Sequence, residues 1–351
     1  MRVLITGGAG FIGSRLAATL ASRDAQVVVF DSFHPQVHHA FPQLPADVQV
    51  HPGDVRDPES WDRYFLRHDH PDIIVHLAAE TGTGQSLTEA SRHGSTNVVG
   101  TTRLTDALVR HDCLPGHIMI ASSRAVYGEG AWQSQDGSQF YPAPRSASML
   151  NAAAWDPVSP DGGVCVPQPH AAATTWPHPT NVYAATKLAQ EHVLESWCAA
   201  YEVPLTILRL QNVFGPGQAV GNAYTGVLTH FARQITTDQQ IEVYEDGQIL
   251  RDFVFVDDVI SAFVQMMAPT TAAGVRRIDI GGGQATALWE VASLMCEFGG
   301  AAAPIVSGRF RLGDVRAASA DISTARLTGW VPRKNLRDGL AELLSWVSEQ
   351  P

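Results

Sequence analysis

Short apolar runs rich in β-branched residues recur along the first part of the chain, at Val3–Thr6, Val27–Phe30, Val48–His51, Ile73–Leu77, Ile118–Ser122 and Leu205–Leu210. Stretches with helical spacing separate them, a pattern that predicts βαβ units. Runs without polar alternation belong to strands covered on both faces, which implies a parallel sheet between two helix layers. From Glu129 to about Pro179 the alternation stops; Pro, Ser, Gly and Ala dominate, with Trp132, Trp155 and Trp176 among them. A stretch of that length inside a compact domain is functional or disordered, and the tryptophans favour an ordered flap over the cleft. Beyond Arg209 the pattern is mixed: a loop at Asn212–Gly217, a helix near Leu228–Gln234, and short strands at Ile241–Tyr244 and Phe253–Val256. A helix near Leu288–Phe298, a strand-like Ala303–Ser307 and a last helix near Leu336–Glu349 complete it. The expected fold is α/β: a Rossmann-type doubly wound parallel sheet over residues 1–211, carrying the 129–179 insertion. A smaller mixed α/β lobe over 212–351 closes on it, with segments that can interleave.

The first run leads directly into Gly7-Gly8-Ala9-Gly10-Phe11-Ile12-Gly13, and the second ends on Asp31. Strand, glycine-rich turn, helix, strand and acidic residue form the dinucleotide-binding arrangement. Gly7 permits the tight turn, Gly10 the backbone approach to a pyrophosphate, and Gly13 close helix–strand packing. The helix N-terminus, at Phe11 and Ile12, offers N–H groups and a positive dipole end to the phosphates. Asp31 accepts from a ribose 2′-OH and repels a 2′-phosphate; no arginine follows in Ser32-Phe33-His34, so NAD is expected over NADP. The ends of later strands supply further candidate contacts: Asp54 and Val55 for the adenine, and Leu77, Ala78 and Ala79, with Thr81 beyond, for the pyrophosphate and nicotinamide ribose. Asn97, on a probable helix beside these loops, is either a cofactor contact or a buried amide with satisfied partners.

Composition changes this picture little. The chain has 351 residues, 45% hydrophobic and 17% charged, with a formal charge of −11, which argues against nucleic-acid binding. No apolar run reaches membrane-spanning length, and Met1 starts directly in the first strand, so a cytoplasmic location is expected. Cys113, Cys165, Cys198 and Cys296 form no CxxC pair, and His34, His38 and His39 read as a solvated loop; no metal is expected.

Tyr183-Ala-Ala-Thr-Lys187 places a phenol and an ammonium one helical turn apart, where the cation favours the phenolate. A serine, in Ala121-Ser-Ser-Arg-Ala-Val-Tyr-Gly128, ends an intervening strand at the cleft. Here the chain resembles the extended short-chain dehydrogenase/reductase superfamily and, within it, the nucleotide-sugar epimerases and dehydratases. The resemblance covers nearly the whole chain: Gly7-x-x-Gly10-x-x-Gly13, Asp31, Gly53-Asp54, His76-Leu-Ala-Ala79, Ser122-Ser123-x-x-Val-Tyr-Gly128, Tyr183-x-x-x-Lys187, Arg209-x-x-Asn212, Gly247-x-x-x-Arg251-Asp252 and Arg311-x-Gly313-Asp314. It implies Ser123, Tyr183 and Lys187 as the catalytic triad, Tyr183 and Lys187 also contacting NAD. It further implies Asn212, Arg251 and Arg311 as diphosphate ligands, Val243 and Tyr244 along the nucleotide base, and a homodimer through two helices flanking the cofactor domain.

The two residues after the catalytic hydroxyl sort the family's chemistry. The resembling dehydratases carry an acidic pair and the decarboxylases a glutamate, whereas this chain has Arg124-Ala125, with Arg124 left to face substrate. That pattern implies a 4-epimerase. Glu80–Ser86, Ser123–Gly130, Arg209–Gln218, Asn222–Gly226, Arg316 and Asp321 resemble the branch acting on dTDP-L-rhamnose, although the insertion keeps only Cys165 where that branch often has cysteine pairs. The alternatives are a UDP-hexose 4-epimerase, a 4-keto reductase and a non-catalytic NAD-binding scaffold.

Overall fold

The computed structural model describes residues 1–38, 44–220, 226–268 and 274–350. Its main sheet has seven strands, numbered here in chain order: β1 (Arg2–Thr6), β2 (Gln26–Asp31), β3 (Gln49–Pro52), β4 (Ile73–His76), β5 (His117–Ser123), β6 (Leu205–Leu210) and β7 (Val275–Ile280). They run in the order β7-β6-β5-β4-β1-β2-β3, every pair parallel. All six residues of β6 are buried, as a strand sandwiched between helix layers requires. The chain order reverses between β1 and β4, and a crevice at the carboxyl ends of such a switch is where an open α/β sheet takes a dinucleotide.

Six of these strands match the apolar runs in the sequence; β7 does not. Its Val-Arg-Arg-Ile-Asp-Ile run is broken by charges, which the fold satisfies individually. Arg276 donates to Thr206 Oγ1 at 2.9 Å and to the Met266 carbonyl at 2.8 Å, while Asp279 accepts from Tyr127 Oη at 2.8 Å and Ala172 N at 2.7 Å. β7 lies beyond residue 212, so the chain re-enters the first sheet there. Helix Val256–Met266 also packs on this part of the chain: Phe263 shares one core with Leu16 and Val29. The strand expected at Phe253–Val256 runs Leu250–Phe255, and Val256 opens that helix.

The lobe has its own core, in which Phe231, Val291 and Leu343 bring together helices Val227–Thr236, Leu288–Gly299 and Leu336–Ser348. The insertion is ordered around a small antiparallel sheet of Trp132–Ser134, Gln139–Phe140 and Cys165–Pro167. Trp132 is buried and donates to the Glu129 carbonyl at 3.0 Å, and Trp155 meets Phe310 of the lobe. Trp176 stands apart, 75% exposed, so the expectation that all three tryptophans pack the flap down is corrected. Charged groups supply the anchor instead. Arg145 and Arg316 of the two segments surround Glu129 and Glu245, all with side chains no more than 5% exposed. Among the described residues no helix is long and apolar enough to cross a membrane.

Candidate active site

The glycine-rich turn is as tight as the sequence requires. Gly7 has φ +64°, and an ideal Cβ there would lie 2.7 Å from Ala78 N; one on Gly13 would lie 2.5 Å from the Gly7 carbonyl. Helix α1 (Phe11–Ala21) starts at Gly10 with no capping side chain and no acidic residue in its first turn. Its first N–H groups, at Phe11 and Ile12, are left for an anion. Asp31 is buried and accepts from Ala9 N at 3.0 Å and Phe33 N at 2.9 Å, so the glycine turn itself fixes the carboxylate. A carboxylate with two acceptor oxygens retains capacity for a ribose diol. These features fit NAD, which the residues around Gly7–Gly13 and Asp31 would hold. Gly13→Ala is expected to abolish retention of NAD by the purified protein, measured by chromatography of nucleotide released on denaturation; full NAD content would show that the turn can relax.

The remaining cofactor candidates divide. Ser32 is exposed beside Asp31, Val55 is buried, and Thr81 is exposed, its carbonyl 3.3 Å from His93 Nε2. Ala78 N donates to Thr6 Oγ1 at 3.3 Å, on the loop with Leu77 and Ala79. The Asp54 carboxylate is held by the Arg56 guanidinium at 2.6 Å, so a contact with adenine there falls to backbone or requires the arginine to move. Asn97 is fully buried; its Oδ1 accepts from Glu80 N at 2.7 Å, and its Nδ2 donates to the Glu80 carbonyl and to Thr186 Oγ1. Of its two readings, the satisfied buried amide describes what the fold does with it. His34 Nδ1 accepts from Gln36 N and His38 approaches Asp31 at 3.6 Å; His39 and Asn222–Thr225 lie outside the described residues. No metal-ligating cluster occurs among the described residues.

Strand β5 ends on Ser123, whose Oγ accepts from Ala125 N at 3.1 Å and starts the turn Arg124–Tyr127. Asn181 Oδ1 caps helix α2 (Val182–Ala200) by accepting from Ala184 N at 2.9 Å, which presents Tyr183 in the first turn and Lys187 in the next. Burial pushes the Tyr183 phenol up, and a hydrogen bond with Ser123 and the positive charge of Arg124 oppose that push. Lys187, one turn on from the phenol, donates to Gln190 Oε1. Burial pulls its ammonium down to about 8, partly offset by Glu191. A buried ammonium requires an acceptor, and Gln190 lies one turn further along the same face. Glu191 is bonded by Ser122 Oγ and clamped by Arg209 at 3.0 and 2.7 Å, tying α2 to the sheet. The signal for both was polar residues three and four positions after Lys187, on the face a helix turns inward.

On the substrate side, Arg124 donates through Nε to Asn212 Oδ1 at 3.1 Å. Burial, reinforced by Arg251, holds its guanidinium down at about 10. Arg251 is buried and meets Asp314 Oδ1 at 2.6 Å. The cluster of Arg124, Asn212 and Arg251 is thus positive and forked, suited to phosphate oxygens despite the chain's net charge. Val243 is buried in the strand Glu242–Val243, paired with Ile305–Val306. Tyr244 follows it, with the guanidinium carbons of Arg309 and Arg311 each 5.3 Å from its ring centre. Arg311 is exposed, beside the Tyr244 ring.

Comparison with known proteins gives the family. The profile of the NAD dependent epimerase/dehydratase family matches residues 3–148 and 156–281. A dTDP-L-rhamnose 4-epimerase of Burkholderia thailandensis is 48% identical over 99% of this chain and 95% of its own. A UDP-glucose 4-epimerase of Mycolicibacterium smegmatis is 28% identical over 99% and 98%. Among solved structures, the UDP-glucose 4-epimerase of Thermotoga maritima with UDP-glucose has a TM-score of 0.80 at 26% identity, covering 99% of this chain and 98% of that one. That of Thermus thermophilus with NAD has a TM-score of 0.80 at 25% identity and covers 100% of both.

Proposed function

Because the chain belongs to the NAD dependent epimerase/dehydratase family, we propose that it is a nucleotide-sugar 4-epimerase, an isomerase whose substrate is dTDP-L-rhamnose and whose product is dTDP-6-deoxy-L-talose. The observation that carries the reaction type is the pair after Ser123. Arg124 lies bonded to Asn212, and Ala125 closes the turn through its N–H, so neither position offers a carboxylate for dehydration or decarboxylation. The 48% identity to the Burkholderia enzyme supports the sugar, over the UDP-hexoses of more distant relatives.

NAD, held by the Gly7–Gly13 turn and Asp31, would supply the hydride acceptor for C4 and the hydride for its return. Tyr183 takes the 4-OH proton as C4 is oxidised and gives it back when the 4-keto sugar is reduced on its other face. Ser123 donates to the 4-oxygen, and the Arg124 charge steadies the phenolate. Asn212, Arg251 and Arg311 hold the diphosphate, with Val243 and Tyr244 along the base. The ring can turn over because contacts concentrate on the nucleotide diphosphate, which stays in place. A cytoplasmic homodimer accompanies this reading.

Purified protein given dTDP-L-rhamnose without added cofactor should yield a sugar nucleotide of unchanged mass with inverted C4 coupling in proton NMR. Turnover of UDP-glucose or UDP-galactose alone would replace the sugar and keep the chemistry. Loss of water, or consumption of added NADPH, would overturn the epimerase reading.

A further inference from the structure

We propose that Gln190, Thr101 and His76 act as a positioning unit for Lys187, a buried hydrogen-bonded chain that fixes the ammonium relative to Tyr183 and ties it to the cofactor cradle. The proposal rests on the NAD-dependent reading of the site. Lys187 is 3% exposed, and Gln190, Thr101, His76 and Thr6 are each 0% exposed.

Each bond in the chain has one consistent direction. Lys187 Nζ donates to Gln190 Oε1, which leaves the Gln190 amide nitrogen to donate to Thr101 Oγ1 at 2.9 Å. Thr101 gives its one proton to the Asn97 carbonyl at 2.6 Å, so Oγ1 can only accept from His76 Nε2 at 3.0 Å. A donating Nε2 makes His76 the neutral Nε2–H tautomer, and its Nδ1 accepts from Thr6 Oγ1 at 2.6 Å. Thr6 Oγ1 then accepts from Ala78 N at 3.3 Å, the nitrogen that closes against Gly7. Three elements, α2, the helix Gly100–Arg110 and β4, therefore converge on one continuous hydrogen-bonded chain between Lys187 and the glycine-rich turn.

The chemistry of the acceptor matters. A carboxylate at position 190 would cancel the lysine charge that a phenolate and a ribose need nearby; an amide holds the ammonium and leaves its field intact. The neighbouring carboxylate, Glu191, is already taken by Arg209. His76, the titratable group facing Lys187 from the sheet, is kept neutral: burial, and then the lysine charge, hold it down at about 3.

The test is the pH dependence of Lys187 carbamylation by cyanate, read by peptide mass spectrometry without substrate, beside NAD content and kcat and KM profiles. Wild-type Lys187 should titrate near its depressed value of about 8. Gln190→Met keeps the length and removes the acceptor; Thr101→Val removes the next link. Both should lower the Lys187 midpoint by about one pH unit. Both should also lower kcat by about tenfold or more while KM changes little, and move the acid limb of kcat to higher pH. Thr101→Ser, which keeps the hydroxyl, should restore the midpoint. An unchanged midpoint in folded, NAD-loaded Gln190→Met and Thr101→Val proteins would overturn the proposal, and the Thr101 pair decides it if Gln190→Met does not fold. Failure of the wild type to turn over any sugar nucleotide would sink the functional reading, and the lysine titration would still report on positioning.

Discussion

Tyr183→Phe should lower dTDP-L-rhamnose epimerisation by about 10²–10⁴-fold while leaving the fold and bound NAD intact. The substitution removes one oxygen, the group proposed to take the 4-OH proton beside the Ser123 hydroxyl. The ring stays packed against His93, whose centroid is 6.5 Å away, so the pocket should not collapse. Binding of dTDP is expected to be near wild type, because the proposed diphosphate ligands Asn212, Arg251 and Arg311 find their partners in groups other than the Tyr183 phenol. Chromatography of the sugar nucleotide over long incubations gives the rate, and released nucleotide gives the NAD content. A variant retaining more than about a tenth of wild-type kcat would transfer the base role elsewhere, since general base catalysis contributes more than that.

Arg145→Leu should be the most destabilising single change in the insertion, at about 3–5 kcal/mol, the cost of leaving a buried charge without its partner. Arg145 donates to Glu129 Oε1 at 3.2 Å, to Glu245 Oε2 at 2.8 Å, and to the carbonyls of Trp155 and Asp314 at 3.1 and 3.0 Å. Without it, Glu245 keeps Arg316 at 3.2 Å, but Glu129 keeps only the Arg316 backbone N–H at 2.9 Å. Burial already pushes the Glu129 carboxyl up, with Arg145 opposing, so in the variant its protonated form is favoured further. A carboxyl with a raised folded-state pKa destabilises above that pKa, so the defect should shrink as pH falls. Thermal unfolding across pH measures this, and limited proteolysis should cut first within 129–179. KM should rise as well, because Arg145 supports the Asp314 segment that pairs with Arg251. A wild-type melting temperature would mean that the insertion is held by its apolar contacts, Trp132 foremost.

The legible part of the molecule was local. Apolar runs at Val3–Thr6 or Leu205–Leu210 declare buried parallel strands because both faces need apolar residues. Gly7, Gly10 and Gly13 declare a phosphate turn, with Gly7 and Gly13 leaving no room for a Cβ, and Tyr183 with Lys187 share a helix face because of the 3.6-residue turn. β7 was hidden because its charges find partners only in the folded chain, Arg276 on Thr206 and Asp279 on Tyr127. The spacing of Tyr183 and Lys187 put both on one helix face, but it did not show that the lysine would donate to Gln190 or that Ser123 and Arg124 would face the phenol.

By itself, then, the sequence determined most of the sheet, the cofactor turn, the candidate reacting side chains and the lack of an acid beside Ser123. All of these follow from residue type and short-range periodicity. Tertiary structure alone decided who partners whom. Arg145 reaches Glu129 16 residues away and Asp314 169 away, and Thr6 meets His76 across 70. Buried polar groups must find partners wherever the chain brings them, and no local pattern encodes that choice.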